Sequence, residues 1–129
     1  MNGDYLLDTS IIIKIFNGEK VIVDKIQSFH NIFIPAVAVG ELYYGAYNSS
    51  KKDNNLEKID WFCQSATILN ADTQTAKLYG YIKNGLKRIG KPIPENDIWI
   101  AAISIQNNLI LACRDVHFSY IDGLKFEML

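Results

Sequence analysis

Five short apolar runs of strand length punctuate the chain: Tyr5-Leu6-Leu7, Ile32-Phe33-Ile34, Thr67-Ile68-Leu69, Leu109-Ile110-Leu111 and a weaker one at Leu124-Lys125-Phe126. The stretches between them are longer and carry helical spacing. Ile98, Ala101, Ala102 and Ile105 recur at i, i+3, i+4 and i+7, and Ala76, Tyr79, Gly80 and Ile82 to Leu86 mark a helix that Asp72 opens as N-cap and that ends near Gly90. The polar cluster Asn48 to Asn55 is short enough to join two helices. Strands alternating with helices predict an α/β fold with a mainly parallel central sheet flanked by helices on both faces. Ligands of such sheets bind beyond the carboxyl ends of the strands, so chemistry is expected there. No repeat, low-complexity run or linker interrupts the pattern, and residues 1–129 read as a single domain.

Composition narrows the class. With 49% hydrophobic and 21% charged residues, the chain can bury a core, which excludes disorder. Two cysteines, Cys63 and Cys113, form no disulfide framework and point to a reducing, cytoplasmic setting. The start, Met1-Asn2-Gly3-Asp4, has no basic region and no signal-peptide pattern. The longest uncharged apolar stretch, Ile98 to Ile105, falls far short of the roughly 18 residues that cross a bilayer, so no membrane role is expected. A net charge of −1 argues against a simple basic nucleic-acid binder. Lys77, Lys83, Lys87, Arg88 and Lys91 nevertheless share a stretch without a single acid, which taken alone reads as a solvated helix face before it reads as a track for a polyanion.

Four acids occupy addresses where function concentrates. Asp8 follows the first strand run and precedes Thr9-Ser10, where an N-cap role and an active-site role are both open. Asp97 opens the apolar helix Ile98 to Ile105, where the helix dipole favours an acid and Asn96 offers itself as the cap. Asp115 follows the strand run Leu109 to Leu111 through Ala112-Cys113-Arg114, and as a turn residue it would need no further role. Glu41 is harder to dismiss, because the run Ala36 to Tyr47 around it is otherwise apolar, small or tyrosine and offers no base. A carboxylate buried there needs a partner, and a cation is one. Carboxylates with few histidines suit a hard ion, Mg²⁺ or Mn²⁺, better than Zn²⁺. His30 and His117 read as structural, with His117 the nearer to the site.

Four segments together carry a family resemblance: Leu6-Leu7-Asp8-Thr9-Ser10, Val39-Gly40-Glu41-Leu42-Tyr43-Tyr44-Gly45-Ala46, Ile93-Pro94-Glu95-Asn96-Asp97-Ile98-Trp99-Ile100-Ala101-Ala102, and Leu111-Ala112-Cys113-Arg114-Asp115-Val116-His117-Phe118. In order and spacing the chain resembles PIN-domain ribonucleases, and among them the VapC-type toxins of toxin-antitoxin pairs. The resemblance implies a metal-dependent ribonuclease in which Asp8, Glu41 and Asp97 form the acidic core that holds Mg²⁺ or Mn²⁺. It makes Asp115 the fourth acid and lets Thr9 or Ser10 help by hydrogen bonding. It also implies an RNA substrate, an antitoxin partner and a homodimer, with Lys87, Arg88 and Arg114 as candidates to guide the RNA. Cys113 and Val37 depart from the hydroxyl residues common at those positions. Haloacid-dehalogenase phosphatases use Asp-x-Asp, but Ser10 stands at the second position, and the acid and lysine pattern of response-regulator receivers is missing. A catalytically silent PIN fold, kept for RNA binding or assembly, is the remaining alternative.

Overall fold

The computed structural model describes residues 3–129. The elements run in the order β1 (Asp4–Leu7), α1 (Thr9–Phe16), α2 (Lys20–Gln27), β2 (Asn31–Pro35), α3 (Ala36–Tyr47), α4 (Lys52–Ser65), β3 (Thr67–Leu69), α5 (Thr73–Arg88), α6 (Glu95–Gln106), β4 (Ile110–Cys113), a 3₁₀ turn (Val116–Tyr120) and β5 (Phe126–Met128). The strands form one sheet in the order β3-β2-β1-β4-β5, and every neighbouring pair is parallel. Leu6 lies level with Phe33 of β2 on one side and Leu111 of β4 on the other.

Successive strand residues point to opposite faces, so the burial of both Leu6 and Leu7, and of both Leu111 and Ala112, shows that helices cover the sheet on two sides. On one of the helices, α6, Ile98, Ala101 and Ala102 are buried, and so are Ile100 and Ile103, leaving an apolar girth wider than the predicted stripe. Helix α5 packs on α6, and α3 packs on α4 and α1. Asp72 does cap α5: its carboxylate accepts from the Thr75 N–H (3.1 Å), and the Thr75 hydroxyl accepts from the Asp72 N–H (2.9 Å). Gly90 closes that helix at φ +69°, a conformation that suits glycine. No helix is long and apolar enough to cross a membrane among the described residues.

Three boundaries move. The fifth strand begins at Phe126, because Leu124 fills the core from the turn before it. Helix α6 begins at Glu95, three residues before the apolar run, with Pro94 as N-cap. Asp97 thus sits inside the first turn, and neither it nor Asn96 is the cap. Of the polar cluster, 48–51 form the connection and Lys52 already belongs to α4.

The sheet order places the site. From β1 the chain moves outward through β2 and β3, then returns to the other side of β1 for β4 and β5. The strand order reverses between β1 and β4, and the crevice at their carboxyl ends is where such folds bind ligands. The Asp8 N–H donates to the Ala112 carbonyl at 3.0 Å across this junction, tying the ends of β1 and β4 together.

Candidate active site

Asp8 is the first residue past β1. Its carbonyl accepts from the N–H groups of Ile11 (3.0 Å) and Ile12 (3.2 Å), so its backbone starts α1, yet its side chain makes no capping bond. The carboxylate turns instead into the junction, 2% exposed. Oδ2 accepts from the Ser10 hydroxyl at 2.9 Å, while Oδ1 is buried with no partner among the described residues. Burial, and then the charge of Asp97, push the Asp8 pKa up to about 6; Asp115 adds to the rise and the Ser10 bond opposes it.

The other acids arrive from three further elements. Asp97, in the first turn of α6, contacts the imidazole Nε2 of His117 through Oδ2 at 2.8 Å. Burial holds its pKa above the ordinary carboxylate value; His117 pulls the other way, and the charges of Glu41 and Asp115 reinforce the rise. Asp115, exposed just after β4, stands at the start of the 3₁₀ turn without using its side chain as a cap. Asp97, Asp115 and His117 each offer a ligand atom within 4.8 Å of one another. Glu41, half-buried on α3, accepts from the Thr9 hydroxyl at 2.6 Å. The first turn of α1 thus supplies one hydroxyl to each of two carboxylates.

No lysine or arginine ion pair reaches any of these four acids among the described residues. Four carboxylates with mutual repulsion, one buried oxygen without a donor, and an imidazole at the edge form a donor set that fits a divalent cation. Asp97, Asp115 and His117 are the group whose ligand atoms lie close enough to share one, while Asp8 and Glu41, expected from the sequence to join Asp97 and Asp115 around the ion, stand at the same junction outside that group. His117 lay outside the carboxylate set read from the sequence. The alternation Asp115-x-His117 just beyond a strand is the signal that marks it. Its imidazole adds one nitrogen to a donor set in which the carboxylates dominate.

The remaining residues divide by position. Cys113, where a hydroxyl is common, is buried and its thiol is pushed up to about 12 by burial and by Asp8, Asp115 and Asp97, so it stays protonated and faces the Met128 sulfur at 3.7 Å. Val37 packs against the core and offers no hydroxyl either. Arg114, at the carboxyl end of β4, pairs with Glu19 at 3.0 Å. Lys87 and Arg88 sit exposed in the last turn of α5, where the helix dipole alone favours cations, and among the described residues they make no ion pair with the acids. His30 is exposed and far in the fold from this junction, at the amino end of β2.

The family model for the PIN domain matches residues 5–124. The chain belongs to the PIN-domain family. Within it, the chain is 34% identical over 126 residues to the ribonuclease VapC2 of Haemophilus influenzae, covering 95% of this chain and 96% of that protein. Its fold is similar to that of the solved VapBC2 of Rickettsia felis bound to a DNA fragment from their promoter, with a TM-score of 0.90, 27% identity and 98% of each chain covered. VapBC-1 from nontypeable Haemophilus influenzae is similar at a TM-score of 0.85 and 28% identity, with 97% of each chain covered. The α/β sheet with its acids at the reversal of strand order is therefore a PIN domain of the VapC kind.

Proposed function

We propose that this PIN-domain protein is a VapC-type ribonuclease that hydrolyses RNA phosphodiester bonds with Mg²⁺ or Mn²⁺, paired with an antitoxin. One observation carries the reading: carboxylates from four separate elements share one junction, and the most buried of them, Asp8, has an oxygen with no donor. A structural acid would have been capped, paired or exposed.

Asp97, Asp115 and His117, with Asp8 and Glu41 beside them, would hold the divalent ion, which would supply positive charge toward a phosphate and lower the pKa of a bound water. The chain's own groups do the rest. Thr9 holds Oε1 of Glu41, which fixes the carboxylate rotation and leaves Oε2 to orient a water and accept its proton. As the water oxygen bonds to phosphorus, the bond to the 3′ oxygen breaks and that oxygen leaves with the electron pair. Ser10 and the junction hydrogen bond keep Asp8 from swinging away. Without the ion, His117 Nε2 meets Oδ2 of Asp97 at 2.8 Å and so fixes the rotation of that carboxylate. Lys87, Arg88 and Arg114 are the cations proposed to steer the strand.

The proposed antitoxin is supported by the solved relatives, which are VapBC assemblies. A cleft of about 250 Å³ beside Glu41, lined by Ile13, Phe16, Leu42 and Ile59, gives such a partner an apolar seat. Tyr44 and Tyr47, 74% and 63% exposed, lie on another face of α3 and are not part of it. A homodimer is part of the same proposal.

The metal requirement is tested by incubating the purified protein with RNA in EDTA and after adding back Mg²⁺ or Mn²⁺. Cleavage should vanish in EDTA and return with either ion, while calorimetric titration should show ion binding that Asp8→Asn weakens. Cleavage that survives EDTA overturns the metal reading.

A further inference from the structure

At the rim of the site, the turn between α1 and α2 gathers three charges in one place. Helix α1 ends in a left-handed residue, Gly18 at φ +68°, with the Gly18 N–H donating to the Ile15 carbonyl (3.0 Å) and the Glu19 N–H to the Lys14 carbonyl (3.1 Å). This is a Schellman motif, which sets the side chains of its first and last residues, here Lys14 and Glu19, against each other; the contact made there is usually apolar. In this chain it is ionic. Lys14 Nζ lies 3.5 Å from Oε2 of Glu19, and Arg114 reaches Oε1 of the same carboxylate at 3.0 Å. The three side chains are 36%, 39% and 38% exposed, so each is partly packed and still open to solvent.

Their placement connects them to the acids. Arg114 immediately precedes Asp115 at the carboxyl end of β4. Lys14 follows Ser10, the hydroxyl donor to Asp8, by one helical turn, about 6 Å along α1. Two cations against one carboxylate leave a net positive charge beside a cluster that is otherwise acidic.

We infer that Lys14 and Arg114 form a clamp for the backbone phosphates of the RNA strand flanking the scissile bond, with Glu19 as the positioning residue that keeps the two cations side by side. The inference rests on the ribonuclease reading and deepens it. Arginine presents a planar fork of donors of which Glu19 engages one nitrogen, and lysine presents a compact charge; both are common phosphate partners. The backbone of the Schellman turn fixes Glu19, so the cations wait in place instead of being ordered by the ligand. Phosphate contacts of this kind set the register of a strand without reading its bases.

The alternative is that the triad only ties the turn to β4. The two are separated by fluorescence anisotropy with a labelled single-stranded RNA, using proteins that carry Asp8→Asn in Mg²⁺, measured across a salt series. Lys14→Gln and Arg114→Gln should each weaken binding and flatten the slope of log affinity against log salt by about 0.7, and the double variant by about 1.4. Glu19→Gln retains both cations, so its slope should stay at least as steep as that of the parent. Lys125→Gln, at the amino end of β5 and thus across the sheet from the site, should leave the slope unchanged. Unchanged slopes for the Lys14 and Arg114 variants overturn the clamp, and so does a Glu19→Gln slope flattened as much as theirs. Failure of the wild-type protein to cleave RNA would instead remove the ribonuclease reading, leaving the slopes to decide phosphate binding alone.

Discussion

Asp8 carries a charge into the core without a counter-ion, and that sets the pH response of the metal-free protein. Its folded pKa of about 6 exceeds the ordinary 3.8, so between those values the native state binds more protons than the unfolded one, and stability falls as pH rises. The full penalty is on the order of 3 kcal/mol, reached above about pH 6. Asp97 is shifted in the same direction and adds to the slope. Melts in EDTA from pH 4 to pH 7 should therefore show a decline that Asp8→Asn largely removes, relative to the parent. A difference between the two proteins that does not change with pH contradicts the raised pKa. At the same scale, Asp97→Asn removes one of the repelling charges at nearly constant volume. It should melt above the parent in EDTA, and saturating Mg²⁺ should narrow or reverse the gap, because ion at about ten times its dissociation constant stabilises the parent by roughly 1.4 kcal/mol. A variant that melts at or below the parent with and without the ion counts against a shared cation site.

Helix α5 shows what local sequence reveals. Asp72 and Thr75 cap it within one turn, and both the cap and the stop near Gly90 depend on residues close in sequence. Asp72→Asn should thus leave both melting and cleavage nearly unchanged, since Asn caps as well, whereas Asp72→Ala should lower the melting temperature without touching cleavage. Loss of cleavage in Asp72→Asn would move the site. The alternating strands and helices, and hence the α/β sheet, were legible for the same reason: each pattern repeats within a few residues. Elements fixed by distant contacts were not. The start of α6 lay hidden because Glu95 is held by Lys83 of α5, at 2.8 Å, and by Tyr79, and Tyr79 also stacks on Trp99 at 4.2 Å. No run of neighbours announces that grip. The four acids stood out by their addresses, but His117 acquires meaning only when the 3₁₀ turn after β4 brings it to Asp97. The ion triad of Lys14, Glu19 and Arg114 spans 95 positions between Glu19 and Arg114 and was equally invisible.

Across the whole molecule, a net charge of −1 coexists with a site that has to accept a polyanion. In the proposed mechanism a bound cation would invert the sign of the junction, and basic groups at its borders would extend the attraction along the strand. Replacing Lys87 and Arg88 by Glu should weaken RNA binding and flatten its salt dependence; an unchanged slope would return the end of α5 to a solvated surface. The sheet supplies the rigid frame, because the reversal of strand order between β1 and β4 opens the crevice and the Asp8 to Ala112 hydrogen bond holds its floor. The most direct test is RNA cleavage by the purified parent and by folded Asp8→Asn, Glu41→Gln and Asp97→Asn proteins, side by side in Mg²⁺ or Mn²⁺. The parent should cut, and each variant should lose at least about 100-fold, beyond the roughly 10- to 100-fold typical of groups one layer behind the metal. A parent that leaves RNA intact, or an Asp97→Asn protein that cuts at the parental rate, contradicts the assignment of this junction as a metal-dependent ribonuclease site.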